Sequence, residues 1–332
     1  MQDILTCAMG LDIHRDVIVA CLAKGELGTD PEIEIRSFST LIPEMRKLRD
    51  WVLEAECRYV AMESTGIYWQ PIYEMLEPCF DGQINILVVN ARHMKNVPGR
   101  KTDMRDAQWI ATLLRAGLLK GSFIPDKTFR ELRHLTRYRK SIVRDITAQK
   151  NRIDKFLQSS GFRFTAFLSD AFGASGRNII RHLMEYGNIS REALDRCLKT
   201  QTRKRIDEIL IALNGSLSEH QRGFLRMIFG HLEALEQHRH TVEDAITKEI
   251  TKHEEALSLL CSIPGIDVTA AAAIIAEIGT DMSAFPDSQH ICSWAGLSPG
   301  NNESAGKRKS AHINKGNPVS YTHLTLPTKL EV

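Results

Sequence analysis

The sequence predicts a mixed α/β domain over residues 1–122, a helical region over 123–254 and a small helical unit over 255–318. Three observations predict this organisation. Short apolar runs of strand length alternate with helix-like segments in the first part, and helical periodicity dominates the second. In the third part, two helical runs flank a Pro-Gly turn. The chain has 332 residues, of which 43% are hydrophobic and 25% charged, so it has enough apolar material for more than one core.

The first part reads as five strands and three helices. Polar and apolar residues alternate over Glu32–Phe38, as in a half-buried strand, whereas Ile84–Val89 is apolar throughout, as in a buried one. Pro43 marks a helix start, and Gly117 marks a helix end. The predicted strands are Leu5–Leu11, Val17–Leu22, Glu32–Phe38, Tyr59–Met62 and Ile84–Val89, and the predicted helices are Pro43–Glu56, Tyr68–Phe80 and Thr102–Ala116.

The resulting order is β-β-β-α-β-α-β-α. Three strands joined by short turns and followed by alternating helices and strands are typical of an RNase-H-like domain. On the pattern alone, other α/β folds remain open.

Two long helices are predicted in the middle of the chain. Thr128–Gln158 has few helix breakers, and Leu217–Glu254 carries heptad-like apolar spacing. Between them, Gly161–Gly215 reads as smaller helices and loops. This arrangement predicts an antiparallel coiled-coil arm with a central insertion, and two helices of a compact bundle are the alternative.

The first of these helices lies in a strongly basic stretch. Residues 127–163 contain eleven Lys or Arg residues against three acids, which gives a net charge of +8. Such an excess suits a phosphate backbone, although a solvated helix face would look the same. The nucleic-acid contacts that we predict from it are Arg133, Arg137, Arg144 and Lys150.

The third part begins with two helical runs, Leu257–Ser262 and Val268–Ile278, joined by Ile263-Pro264-Gly265-Ile266. This turn resembles a helix-hairpin-helix, in which backbone N–H groups around Gly265 bind phosphate. A purely structural turn is the alternative. A loop rich in Gly, Ser and Asn follows and carries the basic residues Lys307, Arg308 and Lys309.

Four acids stand where carboxylates could meet. Asp12 follows the first strand, Glu63 follows the fourth, and Asp103 and Asp106 share one face of a helix. Carboxylate oxygens are the ligands that Mg²⁺ selects, and two ions held in this way would suit a phosphodiester. Asp16 could take the place of Asp12. Singly, Asp103 could favour a helix N-terminus and Glu63 could be a strand-end surface residue.

Other classes of site and location are disfavoured. The seven cysteines include no C-x-x-C pair and no accompanying His cluster, so we expect neither a zinc site nor a disulfide framework. No apolar run approaches the ~20 residues needed to cross a bilayer, and no signal peptide is visible. We therefore expect a cytoplasmic protein.

Several of these segments together resemble the insertion sequence 110 family of DEDD transposases. They are G-L-D at Gly10–Asp12, E-S-T-G-I-Y at Glu63–Tyr68, K-T-D-M-R-D-A at Lys101–Ala107, S-I-P-G-I at Ser262–Ile266, A-G-L-S-P-G-N-N-E-S-A-G-K-R at Ala295–Arg308 and N-K-G-N-P at Asn314–Pro318. The resemblance spans roughly residues 5–318, and region 160–215 carries no matching motif.

The resemblance implies a RuvC-like catalytic domain, a coiled-coil arm and a small C-terminal transposase domain. It implies Mg²⁺ held by Asp12, Glu63, Asp103 and Asp106, and a covalent phosphoserine link formed when Ser304 attacks DNA. It also implies a structured non-coding guide RNA as partner. The active form is a homo-oligomer, a dimer or tetramer, in which the acids and the serine of one site come from different subunits.

The last fourteen residues, 319–332, read as an in-frame translation of a common sequencing adaptor. We expect this tail to be an artefact and the C-terminal transposase domain to be truncated. Two rival functions follow. One is a RuvC-like endonuclease that cuts branched DNA with metal-activated water, and the other is an inactive fragment that only binds nucleic acid.

Overall fold

The computed structural model of the chain describes residues 3–64, 66–90 and 106–297, together with the backbone of 302–304 and 307–310. The chain divides into two compact units, Met1–Ile124 and Pro125–Val332. Our finer division of the second part, at residues 254 and 318, stays a prediction.

A five-stranded mixed sheet forms the first unit. Its strands are β1 (Cys7–Ile13), β2 (Val17–Lys24), β3 (Glu32–Ser39), β4 (Tyr59–Glu63) and β5 (Asn85–Val89). Their spatial order is β3-β2-β1-β4-β5. The pairs β1–β2 and β2–β3 are antiparallel, whereas β1–β4 and β4–β5 are parallel. All five predicted strands are confirmed, each with ends shifted by at most two residues.

Three helices belong to this sheet: α1 (Ile42–Glu54), α2 (Gln70–Leu76) and α3, described over Asp106–Arg115. Residues 102–105 of the third predicted helix lie outside the described residues. The prediction for α2 was too long at its C-terminal end. Pro78 cannot continue the hydrogen-bonded helix, and Phe80 and Asp81 adopt positive φ angles of 54° and 56° in the turn that follows.

The two faces of the sheet are packed differently. On one face, large side chains such as Leu11 and Met62 pack against Leu48 and Trp51 of α1. On the other face, small residues of the sheet, Ala8 among them, meet α3. Because side chains alternate between the faces of a strand, this second face also receives Gly10 and Asp12.

The backbone of α3 touches β1 at Gly10. A Cβ atom built on Gly10 would lie 2.2 Å from the Ala107 carbonyl oxygen and 2.4 Å from the Ala111 nitrogen. Both of these atoms belong to backbone, which cannot turn aside as a side chain can. Glycine is therefore required for α3 to lie this close to the sheet.

The second unit is helical up to residue 297. Its helices are α4 (Lys127–Ser159), α5 (Ala174–Tyr186), α6 (Arg191–Cys197), α7 (Thr200–Arg203), α8 (Ile206–Ala212), α9 (Glu219–Ile250), α10 (Glu254–Cys261), α11 (Val268–Ile278) and α12 (Ser288–Ala295). Both predicted long helices are confirmed. A capping box formed by Ser218 and Gln221 sets the start of α9 two residues beyond the predicted Leu217.

The long helices α4 and α9 run antiparallel. Phe156 near the end of α4 stacks on Phe224 near the start of α9, and Tyr138 near the start of α4 contacts His238. Between these contacts the buried Gln149 side chain donates a hydrogen bond to the Ile228 carbonyl oxygen at 2.6 Å.

A projecting coiled-coil arm is not confirmed. The same core that joins α4 and α9 also contains residues of the insertion, including Phe162, Ile179 and Leu194, and residues of α11, including Ile275. The described part of the second unit therefore matches the alternative from the sequence, a compact helical packing.

The loop predicted near residue 304 contains a hairpin instead. Strands β6 (Asn302–Ser304) and β7 (Lys307–Ser310) pair antiparallel, with Ser304 opposite Lys307 and Glu303 opposite Arg308. The strands are separated by only Ala305 and Gly306, a spacing that suits a two-residue hairpin. The Gly, Ser and Asn content of the segment obscured this spacing.

One carboxylate is wholly buried in the second unit. Glu277 of α11 has no exposed surface, and it accepts two hydrogen bonds from Arg137, at 2.8 and 3.0 Å. Arg133 lies 3.0 Å from the same carboxylate and also donates to the Glu277 carbonyl oxygen. Burial lowers the pKa of Arg133, an effect that the adjacent Glu277 opposes. These contacts fix α11 against α4.

Among the residues that the structure describes, no helix combines the length and the apolar character that crossing a bilayer requires.

We expect Gly10→Ala to destabilise the first unit by about 1–3 kcal/mol or more, because α3 must move away from the sheet to admit the methyl group. Chemical denaturation followed by circular dichroism measures this change. Gly223→Ala in α9 is the matched control, since nothing lies within 4 Å of its added Cβ. The control should be neutral or stabilising by up to about 1 kcal/mol. Equal effects of the two substitutions would contradict the close packing at Gly10.

We expect Glu277→Ala to destabilise the second unit by about 3–5 kcal/mol, because two guanidinium groups would lose the carboxylate that compensates their burial. Equilibrium unfolding of the chain tests this. The control is Glu233→Ala, which removes an ion pair with Arg181 whose side chains are 45% and 54% exposed. Such surface pairs contribute little. A Glu277→Ala variant as stable as the Glu233→Ala variant would refute a stabilising role for Glu277.

Candidate active site

Asp12 lies near the end of the central strand β1. It pairs with Val19 of β2, and only 15% of its side chain is exposed. It follows Ala8 and Gly10 at intervals of two residues, which places its side chain on the face of the sheet that α3 covers.

Glu63 lies beside Asp12 on the neighbouring parallel strand. The β1–β4 register pairs Leu11 with Met62, so the next residue of each strand is an acid. Neighbouring strands are about 4.8 Å apart, and residues paired across parallel strands point to the same face. The structure therefore brings together two acids that are fifty-one positions apart in the sequence.

Asp106 is the first described residue of α3 and is exposed. It directly precedes Ala107, whose carbonyl oxygen faces Gly10. The contact at Gly10 thus carries Asp106 to the sheet face that also bears Asp12 and Glu63. Asp103 lies outside the described residues.

The described residues contain no group of three or more Asp, Glu, His or Cys side chains placed to hold a metal ion. A metal centre formed by Asp12, Glu63, Asp103 and Asp106 consequently stays a prediction. The arrangement does provide carboxylates on adjacent strand ends and on the helix packed over them. Such carboxylates are the hard oxygen ligands that divalent cations take.

A histidine that the sequence analysis overlooked contacts Asp12. The His14 Nε2 atom lies 3.2 Å from the Asp12 Oδ2 atom. The signal was available, because His14 follows Asp12 by two residues and so lies on the same face of an extended strand. Asp16, the possible substitute for Asp12, is 87% exposed in the following turn, 3.7 Å from Arg15.

Ser304, the predicted nucleophile, ends strand β6, and its backbone is paired with Lys307 of β7. Arg308 and Lys309 follow on β7. The hairpin therefore places the serine next to three basic residues along its backbone. Their side chains lie outside the described residues.

Two of the four predicted contacts on the basic helix have another partner. Arg133 and Arg137 hold the buried Glu277, and the Arg133 side chain is only 18% exposed. Most of their donors are thereby directed into the core. Glu277 was missed because it occurs once in an otherwise apolar helix, and a single acid in such a setting signals a buried ion pair.

The other two predicted contacts, Arg144 and Lys150, are placed differently. Arg144 is exposed on α4. Lys150 is half-buried, with its Nζ atom 5.6 Å from the centre of the Phe172 ring. The exposed guanidinium of Arg144 is the better placed of the two to meet a phosphate.

The Pro-Gly turn between α10 and α11 is exposed, and Gly265 has a φ angle of +89°. The adjoining N-terminus of α11 is capped by Asp267, which accepts a hydrogen bond from the Ala270 N–H at 2.7 Å. Because this carboxylate carries negative charge at the helix end that attracts anions, a phosphate would have to bind the Gly265 peptide itself.

One thiol near the start of β1 has a shifted acidity. The hydrogen bond with the Cys57 side chain lowers the pKa of Cys7 to about 7, assisted by Lys24 and Arg115, while burial opposes the shift. Burial raises the pKa of Cys21 to about 11. All seven cysteines are free.

Two family models match the chain. Residues 9–161 match one described as a transposase, of the DEDD type of IS110 elements. Residues 257–327 match one described as the transposase IS116/IS110/IS902 family. The first match contains Asp12, Glu63, Asp103 and Asp106, and the second contains Gly265 and Ser304.

A curated relative is the insertion element IS110 uncharacterized 43.6 kDa protein of Streptomyces coelicolor. It is 28% identical over 239 residues, which are 66% of this chain and 58% of the relative. The chain thus matches a little over half of the length of that protein.

Proposed function

Since the chain belongs to the insertion sequence 110 family of transposases, we propose that it cuts and exchanges DNA strands to move an insertion element. The observation that carries this proposal is the placement of Asp12 and Glu63 side by side at the ends of β1 and β4. Strand cleavage needs negative charge neutralised where it develops on the phosphate, and cations held by converging carboxylates do this.

The proposed cofactor is Mg²⁺, held by Asp12, Glu63, Asp103 and Asp106 in a RuvC-like site. When bound, the ion supplies positive charge at the phosphate oxygens and lowers the pKa of a hydroxyl or water that it contacts. The residues do the positioning. The sheet fixes Asp12 and Glu63, while the Gly10 contact fixes the helix that bears Asp106.

The proposed nucleophile is Ser304. Its Oγ atom would form a bond to phosphorus as one ester bond of the DNA backbone breaks. The hydroxyl proton passes to a base, and the departing oxygen takes up a proton. The energy of the broken bond is kept in the phosphoserine link, which a DNA hydroxyl can later attack to rejoin the strands. The adjacent Lys307, Arg308 and Lys309 suit contact with the backbone phosphates.

The proposed nucleic-acid surface combines the exposed face of α4, through Arg144 and Lys150, with the peptide of Gly265. Contacts of this kind bind phosphates and carry no sequence information by themselves. Selection of the DNA site is therefore assigned to a structured guide RNA, which pairs with the DNA.

The guide RNA, the homo-oligomer that joins acids and serine from different subunits, and a cytoplasmic location rest on the resemblance to the family. The rival without the serine, an endonuclease that uses water, shares the acids and differs in forming no covalent link to DNA.

We expect Asp12→Asn to reduce DNA strand cleavage at least about 100-fold, because the uncharged amide holds a cation weakly. Cleavage is measured with Mg²⁺, DNA bearing the element end and the RNA transcribed beside it. The matched control is Asp16→Asn, in the exposed turn four residues away, which should leave the rate within about twofold. The assignment of Asp12 fails if both variants cut DNA equally well.

We expect a DNA strand to remain attached to the protein through denaturing electrophoresis in the wild type, and the attachment to be lost in Ser304→Ala. Radiolabelled DNA and mass spectrometry of the linked peptide identify the site. Ser310→Ala, at the other end of the hairpin, is the control. Cleavage without any covalent link would favour the water-using endonuclease, whereas metal-independent binding without cleavage would favour the non-catalytic fragment.

A further inference from the structure

The pair formed by His14 and Asp12 places a nitrogen and an oxygen donor together at the end of β1. The His14 Nε2 and Asp12 Oδ2 atoms are 3.2 Å apart. The imidazole is 60% exposed, whereas the carboxylate is 15% exposed, so the histidine covers the solvent side of the acid.

This separation fits two ligands of one metal ion. Ligand atoms bound at about 2.0–2.2 Å and at roughly a right angle lie about 3 Å from each other. An ion placed between them needs only a small rotation of the imidazole, which its exposure allows.

The backbone that carries the histidine is well fixed. The His14 N–H donates a hydrogen bond to the Val17 carbonyl oxygen at 2.9 Å, which closes the turn between β1 and β2. Ile13 pairs with Ile18 directly before this turn. His14 is therefore held at the sheet end where Asp12 and Glu63 lie side by side.

We infer that His14 is an additional ligand of the metal centre, and that its nitrogen makes the centre favour a divalent transition metal such as Mn²⁺ over Mg²⁺. This inference rests on the proposed function, which supplies the carboxylate ligands. Mg²⁺ takes oxygen ligands, whereas imidazole suits transition metals, so adding one nitrogen to a carboxylate set raises affinity for Mn²⁺ and leaves that for Mg²⁺ nearly unchanged.

The test measures Mn²⁺ binding directly, without catalysis. Mn²⁺ is titrated into the untagged full chain at about pH 8, where a free imidazole is neutral. Electron paramagnetic resonance gives the affinity, and electron spin echo modulation reports a nitrogen bound to the ion. The variants are His14→Ala and Asp12→Asn, with thermal unfolding as a check that each is folded.

The matched control is His290→Ala. His290 is also an exposed histidine in contact with an aspartate, with its Nδ1 atom 2.7 Å from the Asp287 carboxylate, but it lies on α12 far from the acids in the sequence. Removing it should change neither the affinity nor the nitrogen signal.

The inference predicts a nitrogen signal in the wild type and in His290→Ala that disappears in His14→Ala, with Mn²⁺ affinity about tenfold lower. Mn²⁺ binding that needs Asp12 but shows no nitrogen signal would overturn the role of His14 and leave the proposed carboxylate centre intact. Mn²⁺ binding that is absent, or unaffected by Asp12→Asn, would overturn both.

Discussion

The contact between the backbones of α3 and β1 at Gly10 determines the geometry of the candidate site. Asp12 and Glu63 are placed by strand pairing alone, but Asp106 reaches their face of the sheet only because a helix lies directly on a strand there. Ala8 and Ala61 on the sheet and Ala107 and Ala111 on the helix keep the surrounding surface flat. The small residues on this face thus serve the position of the acids as well as the packing.

Much of this unit could be predicted from the sequence, because strands and helices of a layered fold leave periodic patterns. The apolar runs located all five strands, and the acids were recognised from their positions at element ends. The side-by-side placement of Asp12 and Glu63 was not predictable from periodicity, since it depends on which strands are neighbours and in which register. The contact of His14 with Asp12 follows from the two-residue period of a strand and could have been predicted.

The basic stretch of the second unit was harder to interpret. Composition gives the charge of a helix but not the direction in which each side chain points. Arg133 and Arg137 turn toward Glu277, more than one hundred residues away, so part of the local charge excess is neutralised within the fold. The surface charge available to a phosphate backbone is correspondingly smaller than the +8 counted along the sequence.

The hydrogen bond from Gln149 to Ile228 has a consequence for how the two long helices can vary. Sliding one helix along the other by a turn would keep apolar contacts but leave a buried amide with nothing to bond. The pairing is therefore locked at one level, as a pin locks a telescoping rod. A related chain with longer helices would have to lengthen both by matching amounts on the same side of the pin.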